Sequence, residues 1–357
     1  MKDFSKWMGE LQAEWRRKGV STDVVGTQGG RPYPWILPES NWEEGLWPGL
    51  RTGAPNDIAG YLTRENVAKH TGSSNLKSSW VACANLYFPF RAAAEDRALL
   101  ASFFRHVVSD RIITVDRIEL EYAEEGELAP SELLGEAGGK RGSGQTSPDV
   151  AFLLNDGAGI ILAESKLTEH SFYSCSARTR ASKPGRPGNP DPERCVNALA
   201  VVSDPETLCH QGAWGRKYWG RLRGAIDVEA VAGLRACPAA FAGYQLFRQQ
   251  ALAEGYGQKY DLVVSAVAYD GRNESLIDSL ASTGVSSFPG GWGALFKGKA
   301  HFAAWTHQAW VDWVRQHQVG RWKDWLTWVE ARYGYGPAAR STLDDMDRDA
   351  LVTGSSR

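Results

Sequence analysis

The chain has 357 residues, of which 43% are apolar and 23% are charged. This balance is typical of a compact globular protein and excludes a chain that is disordered throughout. Because 40 Lys and Arg residues nearly balance 42 Asp and Glu residues, only a local basic patch could attract nucleic acid.

The N-terminus has no apolar run of the kind that a signal peptide needs, and no window reaches the 18 apolar residues of a membrane span. We therefore expect a cytoplasmic protein without a membrane partner. Five cysteines in that compartment are expected to be free thiols or metal ligands.

The N-terminal 84 residues are predicted to be an embellishment of the main fold. Phe4, Trp7 and Leu11 recur at helical spacing, which predicts an amphipathic helix over residues 4–17. The Gly- and Pro-rich stretch 26–60 is predicted to wrap over a surface, anchored by tryptophans.

The central part of the chain reads as alternating helices and strands. A helix is predicted over residues 92–108 and a strand over 111–122. An acidic, glycine-bearing loop then leads to a β-hairpin, with strands over 149–154 and 160–164 and a turn between them.

After the hairpin, residues 167–237 form an inserted loop without clear periodicity, and a helix and a strand follow at about 238–253 and 262–267. The Trp-rich segment from about 301 to 333 is predicted to be helical. These elements divide the chain into the embellishment, a core over 85–270, a helical segment over 271–335 and a frayed tail over 336–357.

The hairpin carries the residues that indicate chemistry. Asp149 opens its first strand, and Glu164 and Lys166 close the second strand on one face. Antiparallel pairing brings these side chains together at one end of the sheet. Two carboxylates suit Mg²⁺ or Mn²⁺, and a lysine beside them can position water or stabilise developing negative charge.

Pro148-Asp149, a hairpin and Glu164-Ser165-Lys166 together resemble the signature of the PD-(D/E)XK nuclease superfamily, in a bacterial, restriction-endonuclease-like branch of uncharacterised nucleases. The resemblance implies an α/β fold with a restriction-endonuclease-like αβββαβ core and a mixed central sheet. It also implies metal-dependent hydrolysis of a nucleic-acid backbone. In it, Asp149 and Glu164 would be metal ligands and Lys166 the catalytic base or charge stabiliser.

Two further positions follow from the same resemblance. Superfamily members often supply another acid upstream, and here Glu121 is preferred to Glu119 as a catalytic residue and metal ligand, against the alternative of a solvated acidic loop. Gln245, on the helix after the hairpin, is similar to a glutamine of RecB-like exonucleases and would hold Lys166 or a phosphate. A plain amphipathic helix is the alternative.

Four of the five cysteines lie between the hairpin and the next helix. Some RecB-like nucleases hold a [4Fe–4S] cluster with four cysteines, so the resemblance implies the same ligand role for Cys175, Cys195, Cys209 and Cys237. No pair has the short C-x2-C spacing of a strong metal site, which favours unrelated buried thiols.

Residues 178–223 carry nine Lys and Arg residues against four acids, interleaved with aromatic residues. This pattern predicts a groove that binds a nucleic-acid strand, with a solvated basic surface as the alternative. The basic residues predicted to contact nucleic acid, with one from the following helix, are Arg178, Arg180, Arg216, Lys217 and Arg248.

Together these features predict a Mg²⁺-dependent deoxyribonuclease that acts on DNA in host defence or DNA repair. Two alternatives stay open: an inactive nucleic-acid-binding module on the same fold, and a Trp-rich protein-interaction protein. The sequence does not separate endonuclease from exonuclease, or DNA from RNA, and it shows no sequence-reading element.

Overall fold

The computed structural model describes residues 3–337, so the predicted tail lies outside the described residues from position 338 onward. The strands are β1 (Thr27–Gln28), β2 (Arg31–Pro32), β3 (Val115–Leu120), β4 (Val150–Leu154), β5 (Gly159–Lys166), β6 (Leu262–Tyr269) and β7 (Ala300–Thr306). The α-helices are α1 (Phe4–Gly19), α2 (Ile58–Arg64), α3 (Ser79–Tyr87), α4 (Ala94–Val107), α5 (Pro130–Leu134), α6 (Ala198–Ser203), α7 (Pro205–Leu208), α8 (Tyr218–Leu222), α9 (Val228–Ala232), α10 (Tyr244–Tyr256), α11 (Glu274–Ile277), α12 (Gly290–Gly293), α13 (His307–His317) and α14 (Val319–Tyr333). Short 3-10 helices cover Glu39–Gly45, Pro48–Leu50, Phe88–Arg91, Gly126–Leu128, Asn155–Gly157, Ser176–Arg178, Pro192–Val196, Gly212–Trp214 and Asp278–Thr283.

A five-stranded mixed sheet forms the centre of the molecule, in the order β3-β4-β5-β6-β7. The first three strands pair antiparallel, and β6 and β7 continue the sheet in parallel with β5. With helices around this sheet, the protein has the mixed α/β, restriction-endonuclease-like fold that the sequence predicts.

Helices cover both faces of the sheet, because alternate residues of the central strands project to opposite sides. Phe152 and Ile161 pack with the aromatic residues of α3, α4, α13 and α14 in one core. Ala151 and Leu162 pack on the other face with residues of α5, α6, α8, α9 and α10. Burial on both faces explains why β4, β5 and β6 are apolar almost throughout.

The turn of the β4–β5 hairpin is built from residues that tolerate a left-handed backbone. Asn155 and Asp156 both have φ of +56°, and Gly157 follows with φ of +85°. Oδ1 of Asn155 also accepts hydrogen bonds from the amides of Ile113 and Thr114, at 2.8 and 3.2 Å. The turn therefore fixes both the hairpin and the approach of the chain to β3.

The structure confirms the predicted hairpin and the helix over 92–108, and it shifts other boundaries. The strand predicted over 111–122 covers only Val115–Leu120. The helix predicted from residue 238 begins at Tyr244. The helix prediction from about 301 is wrong for its first six residues, which belong to β7. Pairing with β6 decides that segment, which contains a single tryptophan and lies before the helical spacing that begins at Trp310.

The inserted loop 167–237 folds into short helices and turns on the face of the sheet that α10 covers. Its segments reach back to α10, since the amides of Tyr244 and Gln245 donate to the carbonyls of Tyr173 and Phe172 at 3.0 and 2.9 Å. The insertion therefore lies on the same side of the sheet as α10. Among residues 3–337, no helix combines the length and apolar character that crossing a bilayer requires.

Candidate active site

Two acids meet at the open end of the β4–β5 hairpin. Val150 pairs with Ala163, so Asp149, which immediately precedes β4, lies opposite Glu164. The amide of Ser165 donates a hydrogen bond of 2.7 Å to Oδ2 of Asp149. This bond fixes the Asp149 carboxylate beside the last residues of β5.

Lys166 completes this group from the same face of β5 as Glu164, two residues earlier. Its Nζ donates a hydrogen bond of 3.1 Å to Oε2 of Glu164. Both side chains are buried, with 3% of Lys166 and 8% of Glu164 exposed. A buried ion pair adds little net stability, so its position is more informative about chemistry than about folding.

Glu121 adds a third carboxylate at this end of the sheet. It follows β3 with φ of +50°, a left-handed conformation that is uncommon for a residue with a side chain. Its amide donates to the carbonyl of Asp149 at 3.2 Å, and the hydroxyl of Ser147 donates to its Oε2 at 2.8 Å. The turn therefore brings Glu121 to the hairpin acids.

Glu119, the other upstream acid, has partners of its own. Its carboxylate accepts hydrogen bonds from Tyr61 at 2.7 Å, Arg117 at 2.9 Å and Arg141 at 3.2 Å. Burial raises the pKa of Glu119, but these partners outweigh burial and hold the pKa below its usual value. Its charge is therefore compensated within the fold, which leaves Glu121 as the acid available to the site.

The carboxylates of the site repel one another. Burial raises the pKa of Asp149 to about 8, and the charge of Glu164 adds to this effect, while Lys166 and the Ser165 amide oppose it. Burial also raises the pKa of Glu121 well above its usual value, reinforced by Asp149 and Glu164. The described protein groups therefore do not fully compensate the negative charge at this end of the sheet.

Lys166 keeps its proton in this environment. Burial alone would lower its pKa, but Glu164, Glu169 and Asp149 more than offset burial, and the pKa is raised above the usual lysine value. The side chain is thus an ammonium ion among carboxylates.

A divalent cation fits this donor set. Mg²⁺ is usually bound by one or two carboxylates and completes its shell with water and substrate phosphates. Asp149 and Glu164 supply two carboxylates, and the raised pKa values of Asp149 and Glu121 mean that further positive charge would stabilise their ionised forms. In residues 3–337, no group of three or more His, Cys, Asp and Glu side chains is placed to hold a metal ion. The described residues therefore suit an open Mg²⁺ site and not a closed structural one.

Three side chains near the site have no role predicted from the sequence, namely those of His70, Glu169 and Tyr173. Burial lowers the pKa of His70, and the charges of Lys166, Glu164 and Glu169 also act on this pKa, so these groups lie close together. Nδ1 of His70 accepts a hydrogen bond of 3.0 Å from the amide of Gly72, which places the proton of the neutral ring on Nε2.

Tyr173 is the third of these side chains, and it lies at the solvent side of the site. It is 50% exposed, its φ is +60°, and its pKa is raised by burial and by Glu169, Glu164 and Asp149. A strained backbone beside a polar site is a feature that the sequence alone could not indicate.

A family model described as Restriction Endonuclease associating with ARP matches residues 5–334. The chain belongs to this family. The match spans all five strands of the central sheet and the acids at the end of its hairpin, so the chain belongs to a restriction-endonuclease-like class of proteins. No curated protein and no solved structure matches the chain.

In this member of the family, no hydrogen bond joins Gln245 to Lys166 among the described residues. The hydrogen bond of Lys166 goes to Glu164, and Oε1 of Gln245 is buried without a partner in the described part of the chain, so the alternative role of Gln245, holding a phosphate, stays a prediction. Gln249, one turn further along α10, packs against the sheet. Its Nε2 donates to the carbonyls of Leu162 and Ala266 at 3.1 and 2.9 Å.

The predicted nucleic-acid contacts separate into two groups. Arg216 and Arg248 line one pocket together with Arg186, Trp214 and Tyr244. Arg216 also donates to the carbonyl of Gly135. The other three predicted residues do not line that pocket and contact other parts of the protein. Arg178 lies 4.4 Å over the ring of Phe241, Arg180 donates to the Pro190 carbonyl at 2.8 Å, and Lys217 donates to the Glu132 carbonyl at 3.2 Å.

The four cysteines after the hairpin come from separate segments but line one small cavity, so the fold brings together thiols that are far apart in sequence. Backbone hydrogen bonds draw the segments together: the amide of Cys237 donates to the carbonyl of Cys195 at 2.8 Å, and that of Cys175 to the carbonyl of Ala239 at 3.1 Å. All five cysteines of the chain are free.

These thiols are not placed as the ligands of a metal ion within the described residues. Burial raises the pKa of Cys175 to about 11 and that of Cys237 well above its usual value, which favours the protonated thiols. The ligand role in a [4Fe–4S] cluster that the resemblance implies for these cysteines stays a prediction, and no step of the chemistry below depends on it.

Proposed function

We propose that this protein is a metal-dependent nuclease of the PD-(D/E)XK type that hydrolyses DNA phosphodiester bonds with Mg²⁺ or Mn²⁺. One observation carries the proposal. At one end of the hairpin, Asp149 converges with Glu164 and Lys166, which lie at least 15 residues later in the sequence. The chain that carries this group belongs to a restriction endonuclease family.

Asp149 and Glu164 would hold the cation, with Glu121 beside Asp149 as the third acid. The bound ion would polarise the phosphodiester and lower the pKa of an attacking water. The residues of the chain prepare that site: the Ser165 amide orients Asp149, and the Ser147 hydroxyl orients Glu121. Both acids are thus positioned before substrate arrives, which reduces the cost of reorganisation.

Of the two roles predicted for Lys166, its protonation favours charge stabilisation. A lysine whose pKa lies above its usual value is a poor base near neutral pH, whereas its ammonium group can stabilise negative charge as the phosphate is attacked. Its hydrogen bond to Glu164 holds Nζ next to the metal-binding acids.

The test is cleavage of plasmid and of single-stranded DNA by the parent, Lys166→Ala and Asp149→Ala proteins with Mg²⁺, Mn²⁺ or excess EDTA. We expect the parent to cleave only with metal, and each variant to lose roughly 100-fold or more in rate, as removal of a charge-stabilising group does in other enzymes. Lys323→Ala, an exposed lysine on α14, is the matched control and should retain the parent rate.

Cleavage that persists in both active-site variants would reject the assignment. Binding of DNA by the parent without cleavage would favour the inactive binding module instead. Linear product from a closed plasmid would identify an endonuclease, and dependence on free ends would identify an exonuclease.

A further inference from the structure

A pocket of about 310 Å³ opens beside the candidate active site, between α10, the loop before β4 and the inserted loop. We call it the arginine pocket, because its lining includes Arg186, Arg216 and Arg248, together with Trp214 and Tyr244. Nothing in the candidate active site accounts for this concentration of guanidinium groups.

The charges in the arginine pocket are unbalanced. Its lining holds three guanidinium groups but one carboxylate, that of Glu136. The Glu136 oxygens already accept hydrogen bonds from the amide and hydroxyl of Thr146, at 2.5 and 2.6 Å, and from the hydroxyl of Tyr218 at 2.9 Å. Excess positive charge beside a carboxylate that is already hydrogen-bonded favours an anion in the pocket.

Arg248 shows the imbalance most directly. Its closest carboxylate is Glu136, with 4.0 Å between Nη1 and Oε1, which is the outer limit of an ion pair. Its Nε is buried and has no hydrogen-bond partner in the described part of the chain. A buried N–H group without a partner costs free energy, and a phosphate oxygen would satisfy it.

Flat aromatic rings lie beside these charges. The guanidinium of Arg186 is 5.5 Å from the centre of the Trp214 ring, and that of Arg248 is 5.1 Å from the Tyr244 ring. Nε1 of Trp214 donates to the Pro187 carbonyl at 2.9 Å, which holds the indole in place. Anion-binding groups next to a fixed ring can take a phosphate and a stacked base together.

The pocket lies near the candidate active site. Gln145, which lines it, is four residues before Asp149, and Arg248 is close enough for the charge of Glu164 to act on it. Its volume is small and its walls come from three directions, so it suits one nucleotide unit and not a paired duplex.

We propose that the arginine pocket binds one unpaired nucleotide of the substrate strand, with the phosphate on Arg216 and Arg248 and the base against Trp214. This inference rests on the proposed function, because it places that nucleotide beside the scissile phosphate. It assigns a preference for single strands, or for duplexes with an unpaired segment, over continuous duplex DNA.

Binding tests this proposal independently of cleavage. Fluorescence anisotropy would measure the affinity of the full-length protein for a labelled single-stranded oligonucleotide and for the duplex of the same sequence. Both are measured in EDTA, with a gel to show that the DNA stays intact. We expect the parent to prefer the single strand, and Trp214→Ala to weaken single-strand binding about tenfold while duplex binding changes less than about twofold.

Arg248→Gln should weaken single-strand binding and reduce the slope of log affinity against log salt by about 0.7, the value for one phosphate contact. Arg31→Gln, the same change on the exposed β2, is the control and should leave affinity and slope unchanged. Thermal unfolding verifies that each variant is folded.

Equal losses for single strand and duplex, unchanged single-strand affinity in both pocket variants, or a parent that prefers duplex would each overturn the proposal. A protein that shows the expected binding pattern but does not cleave DNA would contradict the proposed function and leave the pocket assignment standing.

Discussion

Asp149 is the residue whose protonation sets the charge of the candidate site. Its pKa of about 8 means that the folded protein keeps this proton at pH values where the unfolded chain has lost it. Between about pH 4 and pH 8 the folded state therefore binds more protons than the unfolded state, and the contribution of Asp149 to stability falls as pH rises.

From this we expect Asp149→Asn to unfold at a higher temperature than the parent at pH 8 in EDTA, by up to about 5 kcal/mol of unfolding free energy, because each pKa unit between the folded and unfolded states is worth about 1.4 kcal/mol, and to match it near pH 4. Mg²⁺ should stabilise the parent more at pH 8 than at pH 5.5, because protons compete with the metal for the carboxylate. Thermal unfolding at several pH values, with and without Mg²⁺, measures both effects.

Asp110→Asn is the matched control, since Asp110 is exposed in a turn before β3, and it should leave the pH dependence unchanged. A parent that is as stable as Asp149→Asn at pH 8 in EDTA would contradict the charge repulsion argued for the site.

At the scale of elements, the hairpin could be predicted because its determinants are local. A turn of Asn, Asp and Gly between two apolar runs sets the register, and the register alone brings Asp149 opposite Glu164. The positions of β7 and of the cysteine cavity depend on contacts between distant segments. The spacing of residues between Cys195 and Cys237 does not predict that the amide of Cys237 donates a hydrogen bond to the carbonyl of Cys195.

The absence of a hydrogen bond between Gln245 and Lys166 among the described residues has a related reason. Sequence periodicity indicates that α10 is a helix, but its rotation about its own axis is set by packing on the sheet. That packing places Gln249 against β5 and β6. The same packing directs Arg248 to the arginine pocket.

Arg141 joins two elements around the site, the glycine-bearing loop and the end of β3. Its guanidinium donates to the carboxylate of Glu119 at 3.2 Å and to the carbonyls of Leu120 and Glu121 at 2.7 and 3.2 Å. Without Arg141, the buried Glu119 carboxylate keeps only Tyr61 and the mostly exposed Arg117 as partners, and the carbonyls of Leu120 and Glu121 lose a donor. Arg141→Ala should therefore lower the unfolding free energy by about 3 kcal/mol, as measured by urea denaturation.

A double variant separates the contribution of charge from that of packing to the unfolding free energy lost in Arg141→Ala. Adding Glu119→Gln to Arg141→Ala should recover part of the loss, because the buried carboxylate that has lost one of its two cationic partners is then gone. Arg117→Ala, which removes the partly exposed partner of Glu119, should cost less than about 1 kcal/mol. A double variant that is less stable than Arg141→Ala would show that packing, not charge, dominates.

At the scale of the whole molecule, most of the tryptophans lie on one face of the central sheet, although the sequence concentrates them in two clusters, one before residue 81 and one after residue 291. The clusters from both ends of the sequence meet there: the rings of Trp15 and Trp47 pack on Trp328 at 5.9 and 5.6 Å. Gln12 and Arg332, 320 residues apart, bind each other, since Nε2 of Gln12 donates to the Arg332 carbonyl at 2.7 Å. The sequence shows two separate clusters of tryptophans, but only the fold shows that the two clusters pack together.

Substitution of Trp15 tests whether the packing of the N-terminal helix α1 on the C-terminal helix α14 stabilises the whole protein. Its ring is 9% exposed, and the buried guanidinium of Arg332 lies 4.1 Å from its centre. Trp15→Ala removes this stacking contact and leaves a cavity, so we expect a loss of about 3–5 kcal/mol in unfolding free energy. Because α1 packs directly on α14, the whole protein should unfold in one transition at a lower temperature.

Glu14→Ala, on the exposed side of α1, removes only an ion pair with Lys18 and should change stability by less than about 0.5 kcal/mol. Since Trp15 lies in a core on the face opposite to Glu164 and Lys166, DNA cleavage at a temperature where the variant is folded should equal that of the parent. Two separate unfolding transitions in Trp15→Ala would mean that the ends form a domain of their own, contrary to the prediction that residues 1–84 are an embellishment of the main fold. A single transition would instead mean that the N-terminal segment folds with the sheet, and that the aromatic additions stabilise the nuclease core without touching its chemistry.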